Sequence, residues 1–354
     1  MTVVHVVGAR ADVLKAAPVV RALTAREVGQ RVIHIGQPTG LPAVVFRQLG
    51  LPSADAVVPV DSGTPAGQTA RAMTAFADLF EADRPALVVV YGEATWTVAA
   101  ALAASQLRIP VAHVDAGLRN QGRPDGANRF VTERLADLLF ATSADVVAHL
   151  GREGIPPDRV HLVGNPVVDV LLQNLERFDV LRTRAELGLP DRYVAAVLEW
   201  PGEVDDPAEL VKVLHTVADE VCVVVLLSSD GRASLEVLGL AEHRNLRVSQ
   251  PLGYVESVSL VRGAQVVVTD SGEVQEETTI LGVPCLTLGP GNERPVTISH
   301  GTNHVVTRSG LPGAVRAALA AGQPVWWPTP PLWDGHAGAR IADVIHGFLR
   351  QSPR

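Results

Sequence analysis

Short runs of wholly apolar, mostly β-branched residues recur along this chain. Each gives way to a small or polar turn and then to a stretch of helical spacing. Leu87-Val88-Val89-Val90-Tyr91 is the plainest. A run without polar alternation has no face to offer water, so it belongs in a sheet covered on both sides, which is the setting of a parallel sheet. Strands are predicted at Val3 to Val7, Arg31 to Ile35, Leu87 to Tyr91, Pro110 to Val114, Tyr193 to Leu198, Val221 to Leu227, Gln265 to Val268 and Cys285 to Leu288, with helices between them. At 354 residues the chain exceeds one ordinary domain. The alternation starts afresh at Tyr193, after a polar stretch, Leu175 to Arg192, predicted to be a bridging helix. The expected fold is α/β: two doubly wound parallel-sheet (Rossmann-like) domains facing across a cleft, residues 1–170 and 171–336, followed by a C-terminal helix within 337–354.

Composition narrows the function classes. Hydrophobic residues make up 47 % and mean hydropathy is +0.20, enough for two cores. Aromatics are only 4 %, so Ala, Val and Leu must fill those cores. The net charge is −8 and no basic run occurs, which argues against nucleic acid. No apolar run approaches the roughly 20 residues that span a bilayer. The first residues carry no basic region and enter a strand directly, so a cytoplasmic protein is expected. Cys222 and Cys285 both fall in apolar strand-like runs and are expected to be buried thiols. Neither a metal cluster nor a cofactor is expected.

The site-bearing stretch runs from Thr269 to Thr278. The strand before it stops at Asp270-Ser271-Gly272, whose small and capping residues start a helix, and Gly282-Val283-Pro284 ends that helix. Ser271 and Gly272 thus lie at a helix N-terminus just past a strand end, where N–H groups and the helix dipole suit a phosphate. Glu277, further along the helix, suits a neutral hydroxyl. An ordinary capped turn would read the same way. Near the start, Arg10 and Lys15 flank a helix beginning beside the first strand. Two cations there match a diphosphate or a carboxylate, and two surface charges would look alike. Glu93 and Asp115 each follow an apolar strand, at the sheet edge where open α/β sheets bind ligands. Asp125 lies in the polar loop beyond. Turn or capping duty is the plain alternative for each acid.

With these segments placed, the chain resembles the UDP-N-acetylglucosamine 2-epimerase family over nearly its whole length. Gly8-Ala9-Arg10 with Lys15 is similar to the family's G-T-R-P-E-x-x-K. Tyr91-Gly92-Glu93-Ala94-Thr95 stands where it has H-G-D-T-x-T. His113-Val114-Asp115-Ala116-Gly117-Leu118-Arg119 resembles H-V-E-A-G-L-R, and Pro124-Asp125-Gly126-Ala127-Asn128-Arg129 resembles P-E-E-x-N-R. Gly164-Asn165-Pro166-Val167-Val168-Asp169 is similar to G-N-x-x-x-D, and Thr269 to Glu277 to T-D-S-G-G-x-Q-E-E. Glu293-Arg294-Pro295 resembles E-R-P-E, and Asp334-Gly335-His336-Ala337 with Arg340-Ile341 resembles D-G-x-A-x-x-R-I.

The resemblance implies the two-domain glycosyltransferase-B (GT-B) architecture, with the last helix packed back on the first domain. It implies an NDP-sugar 2-epimerase that interconverts UDP-GlcNAc and UDP-ManNAc by eliminating and re-adding UDP at C1, with proton exchange at C2. Glu93, Asp115 and Asp125 would be catalytic. Arg10, Lys15, Ser271, Gly272, Glu277, Arg294 and Trp200 would contact the UDP-sugar substrate, and a homodimer is the family's habit.

The departures also bear on function. All three acids are resized, Glu93 for Asp, Asp115 for Glu and Asp125 for Glu, each by one methylene or roughly 1.5 Å. Glu273 replaces a Gly of the phosphate turn and brings a negative charge toward it. Trp200 stands at the His of the family's G-H-R-R-E, and indole has no basic nitrogen. The family's Q-H-R-E-M is Gln37-Pro38-Thr39-Gly40-Leu41 here. The alternatives are a sugar-nucleotide-binding protein without turnover, a hydrolysing epimerase, or a glycosyltransferase on the same scaffold.

Overall fold

The computed structural model describes residues 1–36, 41–59, 63–119, 126–199, 206–227, 229–289 and 294–351. The chain divides into two compact units, Met1–Gln173 with Pro331–Arg354, and Asn174–Pro330. In the first unit the order is β1 (Thr2–Val7), α1 (Arg10–Thr24), β2 (Gly29–Ile35), α2 (Leu41–Gln48), β3 (Ala56–Val58), α3 (Pro65–Ala82), β4 (Leu87–Tyr91), α4 (Thr95–Gln106), β5 (Val111–Ala116), α5 (Gly126–Leu135), β6 (Leu138–Ala141), α6 (Ala144–Arg152), β7 (Val160–Leu162) and α7 (Pro166–Gln173). In the second it is α8 (Val180–Glu186), β8 (Tyr193–Leu198), α9 (Pro207–Ala218), β9 (Cys222–Leu227), α10 (Ser229–Glu236), β10 (Leu246–Val248), α11 (Tyr254–Gly263), β11 (Val266–Thr269), α12 (Gly272–Leu281), β12 (Cys285–Leu288), α13 (Val296–Ser299), β13 (Asn303–Val306) and α14 (Leu311–Ala321). The final helix, α15 (Ala337–Gln351), belongs to the first unit.

The first sheet is seven-stranded, β3-β2-β1-β4-β5-β6-β7, and the second six-stranded, β10-β9-β8-β11-β12-β13. Neighbouring strands among the described residues run parallel. In both sheets the order in which strands are added reverses once, between β1 and β4 and between β8 and β11. With few aromatics, small residues close the core: Ala99, Ala100, Ala101, Ala103 and Ala104 of α4 are all buried, beside Phe76 and Phe80 of α3.

The motif residue Asp169 holds the start of α15, and the motif residue Gly164 packs against the segment ahead of it. The Asp169 carboxylate accepts the N–H groups of Ala337 (3.0 Å) and Gly338 (2.7 Å), satisfying two donors of the helix start. Gly338 lies against Pro18 of α1, where a Cβ would come within 2.7 Å of the proline carbonyl. Gly164 has a left-handed φ of +86° and a Cβ there would overlap the Leu332 carbonyl. Gly164→Ala is therefore expected to destabilise the first unit by about 2–3 kcal/mol, from backbone strain plus overpacking. A lowered thermal midpoint checks this, and an unchanged midpoint would contradict it.

Some expectations need correction. The stretch Leu175 to Arg192 is not one helix: a 3₁₀ turn at Leu175–Arg177 and α8 are separated by buried Phe178, which packs edge-on against Tyr254. Helix α1 begins at Arg10, so Arg10 and Lys15 both lie within it rather than flanking its start. Cys285 is buried, which pushes its thiol up to about 12, whereas Cys222 is only half-buried. The segment Gln37-Pro38-Thr39-Gly40 lies outside the described residues.

Candidate functional site

In the first unit the sheet reverses beside the carboxyl ends of β1 and β4, the place where such sheets leave a crevice. The turn after β1 is Gly8-Ala9, and Arg10 opens α1, half-buried. Asp12, in the first turn of α1, is buried. Its Oδ2 accepts the N–H of Gly8 (3.0 Å), the N–H of Ala9 (3.1 Å) and the indole N–H of Trp96 (3.0 Å). The N–H groups of this turn are thus satisfied from within, so the turn is no free phosphate cradle. The indole lies on Gly8, where a Cβ would come within 2.6 Å of it. Burial pushes the Asp12 carboxyl up, while Lys15 and the three donors pull it back.

Lys15, one helical turn on, is buried, and its Nζ lies 2.6 Å from Asp115 Oδ2. Asp115 is near the end of β5 with a left-handed φ of +68°, and the β5–β6 register shifts between Val114 and Ala116. A bulge of this kind re-aims a side chain that regular alternation would send elsewhere. Glu93 follows Gly92 beyond β4, and its carboxylate pairs with Arg129 of α5. Arg129 also donates to the Asp115 carbonyl. His113 donates from Nε2 to the Gly92 carbonyl at 2.7 Å, tying the Asp115 turn to the Glu93 turn. Burial lowers the His113 pKa, while Glu133 and the bond to the Gly92 carbonyl pull it back up. The structure therefore brings together Lys15, Asp115 and Glu93, with Arg129 joining the last two. Asp125, immediately ahead of α5, lies outside the described residues.

In the second unit the reversal falls between β8 and β11. Asp270 Oδ1 accepts the Glu199 N–H at 2.8 Å. The Ser271 N–H is held by Thr269 Oγ1 at 3.0 Å, and that hydroxyl donates to the Val197 carbonyl at 2.7 Å. The Ser271 hydroxyl occupies the N-cap position of α12 but does not cap the helix. It donates instead to Glu199 Oε1 (2.9 Å) and Glu273 Oε2 (3.3 Å). Gly272 is required by packing, because a Cβ would overlap the Arg294 guanidinium. Arg294 is buried, pairs with buried Glu276, and has Nη2 3.8 Å from Glu273 Oε1. Glu277 is buried within α12. Around the Ser271 turn, Arg294 is therefore engaged by the carboxylates of Glu276 and Glu273, while the Glu199 carboxylate takes the Ser271 hydroxyl. Trp200 and Glu293 lie outside the described residues. No group of three or more His, Cys, Asp or Glu side chains gathers to hold a metal ion among the described residues. No helix of the described residues is long and apolar enough to cross a membrane.

Sequence reasoning missed Asp12, Trp96 and Glu133, and quoted Arg129 without a role. A signal existed for some of them: Asp12 lies three residues before Lys15, and Arg129 four before Glu133, both same-face spacings on a helix.

Comparison with known proteins bears on this geometry. A sequence model of the UDP-N-acetylglucosamine 2-epimerase family matches residues 21–346. The UDP-N-acetylglucosamine 2-epimerase of Methanocaldococcus jannaschii is 30 % identical, over 96 % of this chain and 97 % of its own. Its crystal structure in complex with UDP-GlcNAc and UDP superposes with a TM-score of 0.91, covering 98 % of this chain and 100 % of that one. The UDP-2,3-diacetamido-2,3-dideoxy-D-glucuronate 2-epimerase of Pseudomonas aeruginosa is 31 % identical, over 98 % and 99 % of the two chains. The two Rossmann-like units are those of the GT-B architecture. With the family's model spanning nearly the whole chain and close structural likeness to one of its members, this chain belongs to the UDP-N-acetylglucosamine 2-epimerase family.

Proposed function

We propose that this protein interconverts UDP-N-acetylglucosamine and UDP-N-acetylmannosamine. A base removes the C2 proton, the C1–O bond breaks, and UDP leaves with its electron pair to give the glycal. A proton then returns to C2 on the other face, and a UDP oxygen re-adds at C1. The observation that carries this reading is the buried Lys15–Asp115 pair joined through Arg129 to Glu93, at the strand ends of the first unit. Proton transfer on two faces needs two such groups. We assign Asp115 and Glu93 to proton transfer, with Asp125 in support, and Lys15 to orienting Asp115. We assign the UDP diphosphate to the Ser271-Gly272 turn at the start of α12, with Arg294 shaping that turn, and Glu277 to a neutral hydroxyl of the ligand. Arg10 supplies a further cation and Trp200 a ring surface. The same reading makes the protein a cytoplasmic homodimer.

Incubation with UDP-N-acetylglucosamine in D₂O, followed by NMR, tests the proposal. Deuterium at C2 and appearance of the manno epimer are expected. Bound substrate with neither exchange, epimer nor free UDP would leave a binding protein, and free UDP with accumulating sugar a hydrolysing enzyme. The likeness to the Pseudomonas relative favours a second substrate arm, UDP-2,3-diacetamido-2,3-dideoxy-D-glucuronate. Faster turnover there would move the substrate assignment and keep the chemistry. For the diphosphate, Ser271→Ala is expected to weaken UDP by about fivefold in calorimetric titration, the value of one hydrogen bond. Unchanged affinity would remove the hydroxyl from the site.

A further inference from the structure

Arg129 and Glu133 lie four residues apart on α5 and share one face of it. Both are buried. Arg129 holds the Glu93 carboxylate and the Asp115 carbonyl. Glu133, only 1 % exposed, accepts the Gly117 N–H on Oε1 at 2.6 Å. Its two oxygens also take Arg119, at 3.1 and 2.5 Å. Between these two anchors the backbone is left-handed twice, at Asp115 (φ +68°) and at Gly117 (φ +90°). A residue with a side chain keeps such a φ only where its surroundings over-determine it. Space enforces the glycine as well, since a Cβ at 117 would lie 2.8 Å from the Val146 carbonyl oxygen. Glu133 is not needed merely to satisfy Arg119, because Glu153 already meets that guanidinium at 2.7 and 2.6 Å. What Glu133 alone provides is a charged acceptor, shielded from water, for one backbone N–H.

We propose that Glu133 is a positioning residue for Asp115: by holding the Gly117 N–H it fixes the bulge that turns the Asp115 carboxylate toward Lys15. The inference rests on the assignment of Asp115 to proton transfer. α5 then serves as one bracket for both acid-bearing turns, Arg129 gripping Glu93 and the Asp115 carbonyl, Glu133 gripping the backbone two residues on. Losing the grip lets the carboxylate drift while every ligand contact of the second unit stays in place.

Two substitutions separate reach from charge. Glu133→Gln keeps an oxygen acceptor for Gly117 and leaves Arg119 to Glu153. Glu133→Ala removes the acceptor. In Glu133→Ala, kcat is expected to fall by about 10²-fold, the cost of a misplaced reacting group, with KM and UDP affinity nearly unchanged. Glu133→Gln should recover most of that loss. Glu153→Gln, which touches only the other side of Arg119, should leave kcat as it is. Amide hydrogen exchange at Gly117 should quicken on the order of tenfold in Glu133→Ala and stay slow in Glu133→Gln. A folded Glu133→Ala with wild-type kcat overturns the proposal, as does a Gln variant no better than Ala. Should Glu133→Ala fail to fold, Glu133→Asp, which keeps the charge and loses reach, takes its place: wild-type kcat there overturns the proposal. If wild-type protein places no deuterium at C2, the functional reading fails by itself. The Gly117 amide then still decides this one, and unchanged protection in Glu133→Ala sinks it.

Discussion

Asp115→Asn is expected to stop solvent deuterium from entering C2, with kcat lower by about 10³-fold, within the range that general acid–base groups contribute. The amide keeps the size and hydrogen-bonding shape of the carboxylate but cannot take up a proton. UDP affinity should hold, because the turn assigned to the diphosphate belongs to the second unit. The substitution also has a structural effect that must be separated. Lys15 and Asp115 have side chains only 5 % and 2 % exposed, so Asn at 115 takes one carboxylate away from a buried ammonium that Asp12 still faces. Breaking one side of a buried pair costs about 3–5 kcal/mol, so the melting midpoint should fall too. The double variant Asp115→Asn with Lys15→Met removes both charges. It should regain much of the stability and none of the exchange, a cycle that assigns the two effects to different causes. Deuterium incorporation at the wild-type rate in Asp115→Asn would take Asp115 out of the chemistry.

Arg294→Ala should unfold the second unit more readily, by about 3–5 kcal/mol, because it leaves the Glu276 carboxylate buried without its cation. That size of effect exceeds what a residue kept only for a ligand would show. UDP affinity should also fall, but the loss reports a disturbed turn as much as a lost charge. Exposed Glu199 offers a cleaner probe. It takes the Ser271 hydroxyl at 2.9 Å and brings negative charge to the proposed diphosphate turn. Glu199→Gln keeps an oxygen acceptor and removes the repulsion. UDP should bind about fivefold tighter, the scale of an exposed charge interaction near 1 kcal/mol. Calorimetry on both variants, with thermal melts beside it, checks the pair. A wild-type melt for Arg294→Ala would deny the structural role, and unchanged UDP affinity in Glu199→Gln would move the diphosphate elsewhere.

Most of the two sheets was legible because their strands are covered on both faces and read as unbroken apolar runs. Leu87 to Tyr91, Tyr193 to Leu198 and Cys285 to Leu288 have the bounds expected of them. Three of the four edge strands were not legible. β3, β7 and β13 have three or four residues each, too few to show a period, and their burial is partial. Glu93, Asp115, Ser271 and Gly272 could be placed at strand ends and helix starts, since the turn after a strand is a local property. The partners of these residues could not be read.

By itself the sequence determined the α/β alternation and the chemical types standing at the strand ends. These rest on local period and on turn residues acting over a few positions. The tertiary structure alone decided which charges meet. Lys15 faces Asp115 across a hundred positions because β5 bulges between Val114 and Ala116, and a shift of register by one residue would send that carboxylate to the other face. Trp96 lies on Gly8 and adds its indole N–H to the Asp12 carboxylate, from 84 positions away. Arg294 is committed to Glu276 because Gly272 leaves room for a guanidinium where any side chain would exclude it. Pairings of this kind depend on distances between elements that no local pattern encodes.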